Sequence, residues 1–264
     1  FTMYFDFNSI FVAFMTMLLP IISKQLNGTI WRLEIDGLSD TVFLEVRTAD
    51  RQVSFTSVSL QTGHVNFNEY TTPERWLTGI EAAYNNVLLL HHYQAENSPV
   101  HKGITAIDSM GQVLWSNYSY AFDHLSVNGP VVFNIQLQPK KLFIVDIKTG
   151  TYLRKFDEIL DTEVETPLAF PQMAQASQAD LPLPVDAHLN IAHYLNHNKL
   201  RIVSLHTFIA GQLKQHLYVT DGVCIVYEDL LNEDIQKMQP ESFILYKNWL
   251  IYIKNKSELK VINL

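Results

Sequence analysis

The sequence is poor in the residue types on which most enzyme signatures depend. It holds a single cysteine, Cys224, so neither an internal disulfide nor a cysteine-built zinc site can form. Cys224 stands in the apolar run Val223-Cys224-Ile225-Val226, which predicts a buried thiol within a strand and a reducing, cytoplasmic compartment. The ten glycines are widely scattered, Gly103 and Gly111 being the closest pair. No two of them can share a dinucleotide-binding loop, a phosphate loop or a nucleophile elbow. No histidine is followed by glutamate, which removes the HExxH zinc helix, and no alternating Asp/Asn run offers a calcium loop. Charge is also scarce, at 17% of residues, and 19 Lys plus Arg against 27 Asp plus Glu leave a formal charge of −8. Phosphate backbones bind through clustered basic residues, so nucleic acid is not an expected partner.

Residues 10–22 are the longest apolar stretch, broken by Thr16 and Pro20 and preceded by no Lys or Arg. A spanning helix needs about 20 apolar residues, and a secretory leader needs a positive n-region. Residues 1–17 therefore read as an apolar, non-native extension with Met15 or Met17 as candidate starts, and residues 18–264 as one soluble domain with no membrane partner.

What the chain does have is hydrophobic bulk, 47% of residues, and a period of two. From Gly28 onward, apolar and polar residues alternate in short runs separated by Gly, Asn and Asp turns, the mark of half-buried strands. Strands are expected at 30–35, 42–46, 53–60 and 64–69, then 77–84, 87–93, 103–108 and 112–117, then 121–127, 131–137, 141–147 and 151–156. The turn before the last strand of each set is nearly one phrase, centred on Gly63, Gly111 and Gly150. Glycine there supplies a positive φ, and Val65, Phe67, Val113, Trp115 and Tyr152 just beyond it are placed to face the next sheet. A repeat of roughly 40 to 50 residues is that of four-stranded propeller blades.

Residues 157–186, with five acids between Asp157 and Glu165 and four of the ten prolines, break the rhythm and read as an irregular or partly helical insertion. A fourth set follows at 188–195, 199–208, 213–220 and 223–228, and residues 232–238 read as a helical turn ended by Pro240. The last set has only three strands, at 242–246, 248–254 and 259–264. The missing one is supplied by residues 19–26, since pairing the first strand with the last removes an open edge. The expected fold is all-β: a β-propeller of five four-stranded blades, its ring closed by an N-terminal strand.

The phrases GITAIDSMGQVLW (103–115) and FIVDIKTGTYLRKF (143–156) resemble the repeats of pyrroloquinoline-quinone-like and WD-type propellers. The eight blades of the quinone enzymes do not fit a chain of this length. GTIWRLEID (28–36), GIEAAYNNVLLLHHY (79–93), HKGITAID (101–108) and IYIKNKSELKVINL (251–264) resemble a bacterial propeller family of unknown function, which implies the fold and no activity.

Polar chemistry gathers around the second set. Glu81, His91, Tyr93, His101 and Lys102 are the candidate ligand-binding residues, with only one of His91 and His92 able to join them, because adjacent strand residues face opposite ways. No metal and no cofactor is expected, since two histidines without further ligands fall short of a zinc site. His193 and His197 bracket a turn and read as exposed. Glu34, Asp36, Glu45, Glu81, Asp123 and Glu228 are the carboxylates a glycosidase-like hydrolase would draw on, although Arg32, Glu34, Glu45 and Arg47 also suit ordinary pairing across a hairpin. The expected role is a non-enzymatic binding or scaffold module that takes a protein or small molecule at one mouth of the ring, with hydrolysis as the alternative.

Overall fold

A computed structural model describes residues 17–178, 184–239 and 242–264. The expected terminal extension, apart from Met17, and Pro240 lie outside the described residues. The described chain is all β, with no helix beyond three-residue 3-10 turns. After β1 (Pro20–Gln25), the strands β2 (Thr29–Asp36), β3 (Thr41–Arg47), β4 (Val53–Ser59) and β5 (Val65–Tyr70) form the first antiparallel sheet. The second comprises β6 (Thr78–Tyr84), β7 (Val87–Tyr93), β8 (His101–Asp108) and β9 (Val113–Asn117). The third comprises β10 (Tyr120–Ser126), β11 (Gly129–Asn134), β12 (Leu142–Val145) and β13 (Tyr152–Lys155). Consecutive strands are neighbours in all three, as period-two runs joined by short turns require. Asn85 and Asn86 take φ of 51° and 63° in the tight turn between β6 and β7, a conformation asparagine tolerates.

Residues 157–186 are less irregular than their composition implies. They contribute β14 (Leu168–Ala169) and β15 (Gln172–Gln175), which extend two different sheets. The fourth sheet runs β15, β16 (Ile191–His197), β17 (Leu200–Ile209), β18 (Gln212–Thr220) and β19 (Ile225–Ile235). The fifth runs β1, β22 (Glu258–Asn263), β21 (Trp249–Lys254), β20 (Ile244–Tyr246) and β14. The pairing of β1 with β22 fills the fourth place in the last sheet from Pro20–Gln25, within the expected segment 19–26.

Three local expectations are corrected. Residues 232–238 are not a helical turn: β19 continues to Ile235, and Asn232 is held in the sheet by donating from Nδ2 to Gln215 Oε1 at 2.7 Å. Cys224 is half-buried and precedes the strand. The Asp221 carboxylate accepts the backbone N–H groups of Val223 and Cys224 at 2.9 and 2.8 Å, which bends the chain there. His193 lies buried inside β16, which runs on to the half-buried His197 at its end.

Gly63, Gly111 and Gly150 have φ of 70°, 79° and 68°, the left-handed conformation expected of the repeated turn. A Cβ on Gly111 would stand 3.4 Å from the Phe67 ring, and one on Gly150 2.5 Å from Trp115. The aromatic four residues beyond one turn glycine thus packs on the turn glycine of the next sheet. Trp115 also donates from Nε1 to the Ile147 carbonyl at 2.8 Å. Val113 and Tyr152 depart from this pattern and stand exposed, while Val65 packs into the core shared with β1 and β22.

Candidate functional site

Four of the five candidate residues gather in the second sheet, three of them through two interruptions in its ladder. Ile80 pairs with Leu90 and Ala82 with Leu89, so Glu81 is the extra residue of a β-bulge on β6. A second register shift falls between His91 and His92, where His91 faces Ile104 and His92 faces Lys102. Bulges re-aim side chains that strict alternation would send elsewhere. Here they bring Glu81, His91 and His101 together, with Glu81 Oε2 at 3.0 Å from Nδ1 of each histidine. The two imidazoles stack at 3.6 Å between centroids and 6° between planes. Tyr93, two residues from His91 on the same strand face, stands edge-on to both rings at 4.7 and 5.1 Å.

Lys102 does not join them. It shares the register of His92, whose ring bonds Thr105 Oγ1 at 3.0 Å and lies 3.7 Å from Glu74 on the opposite face. Of the two adjacent histidines only His91 enters the cluster, as alternation demands.

Burial works against the Glu81 carboxylate, but His91 and His101 beside it outweigh that and hold its pKa below the usual range. Burial, reinforced by the neighbouring His91, depresses the pKa of His101 against the pull of Glu81. His91 is only 3% exposed; its Nδ1 faces the Glu81 carboxylate, and its Nε2 has no hydrogen-bond partner among the described residues.

Arg32 ties this cluster to the first sheet. Its guanidinium donates to the carbonyls of Ile80 and Glu81 at 2.8 and 3.0 Å and pairs with Glu34 at 3.2 Å. Deeper in the same interface Arg47 pairs with Glu45 at 2.6 Å, donates to the carbonyls of Trp76 and Thr78, and lies 4.5 Å over the Trp76 ring. Both ion pairs run along one strand, two residues apart, rather than across the hairpin as expected. Arg32 and Glu45 are themselves the cross-strand neighbours, and each turns to its own strand and to the next sheet.

Glu34 opens onto a second feature, a cavity of about 430 Å³ lined from β2, β14, β18, β19, β20, β21 and adjoining loops. Its walls are mainly apolar, with Ile30, Leu33, Ile35, Ile244, Ile251 and Ile253 among them. Burial raises the pKa of Glu34, with Arg32 opposing the rise. Glu34 and Lys256 are the charged groups among the described lining residues. Gln215 and Asn232 are bonded to one another, whereas Ser242 Oγ is buried with no partner among the described residues. The sequence reading missed Ser242, Gln215 and Asn232. An alternation of two seen through residue 235 would have placed Asn232 in the sheet.

The remaining carboxylates are committed to structure. Asp36 accepts from Leu38 N, Ser39 Oγ and Asn86 N; Asp123 pairs with Lys140 and His124; Glu45 also accepts Ile80 N at 2.9 Å. Glu228 is exposed on β19.

Residues 35–115, which hold the Glu81, His91 and His101 cluster, match the model of a domain of unknown function, DUF4905. No curated protein matches the chain. Among solved structures, Raptor of Chaetomium thermophilum aligns at 7% identity and a TM-score of 0.37, over 94% of this chain and 29% of that one. The WD40 domain of SCAP from fission yeast aligns at 12% identity and 0.28, over 94% and 58%. TolB of Acinetobacter baumannii aligns at 9% and 0.28, over 89% and 55%. The chain spans less than two thirds of the length of each of these three.

Proposed function

We propose that the five sheets are the blades of a β-propeller whose ring is closed by β1, and that the protein is a non-enzymatic binding module. Its ligand is a small, mainly apolar molecule held in the cavity between the first, fourth and fifth sheets. The repeated turn phrases, the aromatic-on-glycine packing between successive sheets and the pairing of β1 with β22 support the ring. One observation carries the ligand: an apolar cavity of about 430 Å³ whose wall includes Ser242 Oγ, buried and without a partner among the described residues. Pockets of this size and character, with a few polar groups to orient the guest, are typical of small-molecule sites.

Hydrolysis of a glycoside needs two carboxyls, about 5 to 10 Å apart, on one site. Among the described lining residues Glu34 is the one carboxylate, which favours binding. Cys224, half-buried and without a second cysteine to meet, fits a cytoplasmic setting. Among the described residues no helix is long and apolar enough to cross a membrane.

The test is a fluorescence titration with the neutral apolar probe N-phenyl-1-naphthylamine on the wild type and on Leu33→Trp, which fills the cavity. Saturable binding by the wild type that Leu33→Trp abolishes is expected. Binding of equal strength in both, or cleavage of chromogenic glycosides that Glu34→Gln removes, overturns the reading.

A further inference from the structure

Apart from the cavity, the cluster on the second sheet assembles three groups that share one chemistry. Two imidazole nitrogens and a carboxylate oxygen, contributed by His91, His101 and Glu81, lie within 4.8 Å of one another. We propose that Glu81, His91 and His101 form a site for one divalent first-row transition metal, with its remaining positions open on the His101 side.

The donor set chooses the class of ion. Imidazole nitrogen suits zinc, copper(II), nickel and cobalt, whereas magnesium and calcium seek oxygen alone. Three protein donors leave room for water or a guest molecule, as in metal sites that act on ligands. His101 is 36% exposed in its side chain and His91 only 4%, so the open side is the side facing solvent.

Two features of the cluster are hard to account for as packing. His91 is buried, and while its Nδ1 faces the Glu81 carboxylate its Nε2 has no hydrogen-bond partner among the described residues, a state that costs about 1–3 kcal/mol for a polar group. The bulge at Glu81 breaks the ladder of β6 and delivers a carboxylate to both Nδ1 atoms. A bound cation satisfies His91 and gives the bulge a purpose.

Parallel rings cannot aim two lone pairs at one point. Loading therefore turns one ring out of the stack, and His101 is the one free to turn, because His91 is wedged against Gly79.

Untagged protein, stripped with a chelator, is titrated with zinc by calorimetry and with cobalt by visible absorption. One equivalent bound, with a cobalt d–d spectrum showing nitrogen ligation, is expected. His101→Ala and Glu81→Gln should each weaken binding by about 100-fold or more, at or beyond the upper limit for loss of an outer-sphere partner. His101→Ala removes a partly exposed ring, and an unchanged melting temperature shows that the fold is intact. Should Glu81→Gln lower the melting temperature, His101→Ala alone decides. No binding at millimolar zinc, or binding unaltered in His101→Ala, overturns the assignment.

Discussion

Gly79 faces His91 across the first hairpin of the second sheet so closely that a Cβ on Gly79 would stand 2.8 Å from both Cε1 and Nε2 of the imidazole. The same Cβ would lie 3.2 Å from Glu45 Oε2. Gly79 is thus the floor on which the His91 ring rests, and nothing larger fits between the ring and the buried ion pair.

Gly79→Ala should therefore destabilise the protein by about 2 kcal/mol, the usual cost of one methyl forced into a filled interior. Urea denaturation followed by tryptophan fluorescence measures it. A neutral result would mean that His91 can move aside, contrary to its buried and wedged position.

Glu45 and Arg47 are 2% and 8% exposed, and their pair is joined to Ile80, Trp76 and Thr78 of the neighbouring sheet. Removing one partner strands the other charge away from water. Glu45→Leu is expected to cost about 3 kcal/mol, and the double variant Glu45→Leu with Arg47→Met distinctly less than Glu45→Leu and Arg47→Met together. Denaturant midpoints of the three variants check this, and strict additivity would refute it.

His206 is fully buried, and its Nε2 accepts the Gln239 backbone N–H at 3.1 Å. That role assigns the proton to Nδ1, which is left without a partner. Burial, with the nearby His193, His188 and His216 adding to it, pushes its pKa down from 6.5 to about 4. A depressed histidine is neutral when folded while the unfolded chain takes up a proton below 6.5, so stability is fully present above that pH. It falls as the pH drops from 6.5 toward 4 and levels off below. Melting temperatures across this window should show the decline in the wild type and a shallower one in His206→Gln. An identical slope in both would assign the effect to other groups.

Much of the strand order can be read from sequence because period two and turn residues are local signals. The runs from Gly28 to Phe156 needed only alternation and the turns at Asn85-Asn86, Gly63, Gly111 and Gly150. Bulges are another matter. Nothing in Gly79-Ile80-Glu81-Ala82 announces that Glu81 is an extra residue, because its position is decided by the partner strand and by Arg32 reaching in from another sheet. Hence the meeting of Glu81 with His91 and His101 could be placed on one sheet, whereas the exclusion of Lys102 could not. Residues 157–186 were obscured for a related reason. Strands of two and four residues are too short to show a period, and they exist because β20 and β16 offer them an edge.

The ladder between β1 and β22 sets a timetable as well as a shape. Ser23 bonds Glu258 across 235 positions of chain. At about 5–20 residues per second of synthesis, the strand at Pro20–Gln25 leaves the ribosome roughly 10 to 50 s before its partner exists. Throughout that interval Ile22, which ends 5% exposed, has no completed sheet to cover it. The nascent chain therefore carries an unsatisfied β-edge until β22 follows, a standing demand on whatever chaperone attends the ribosome.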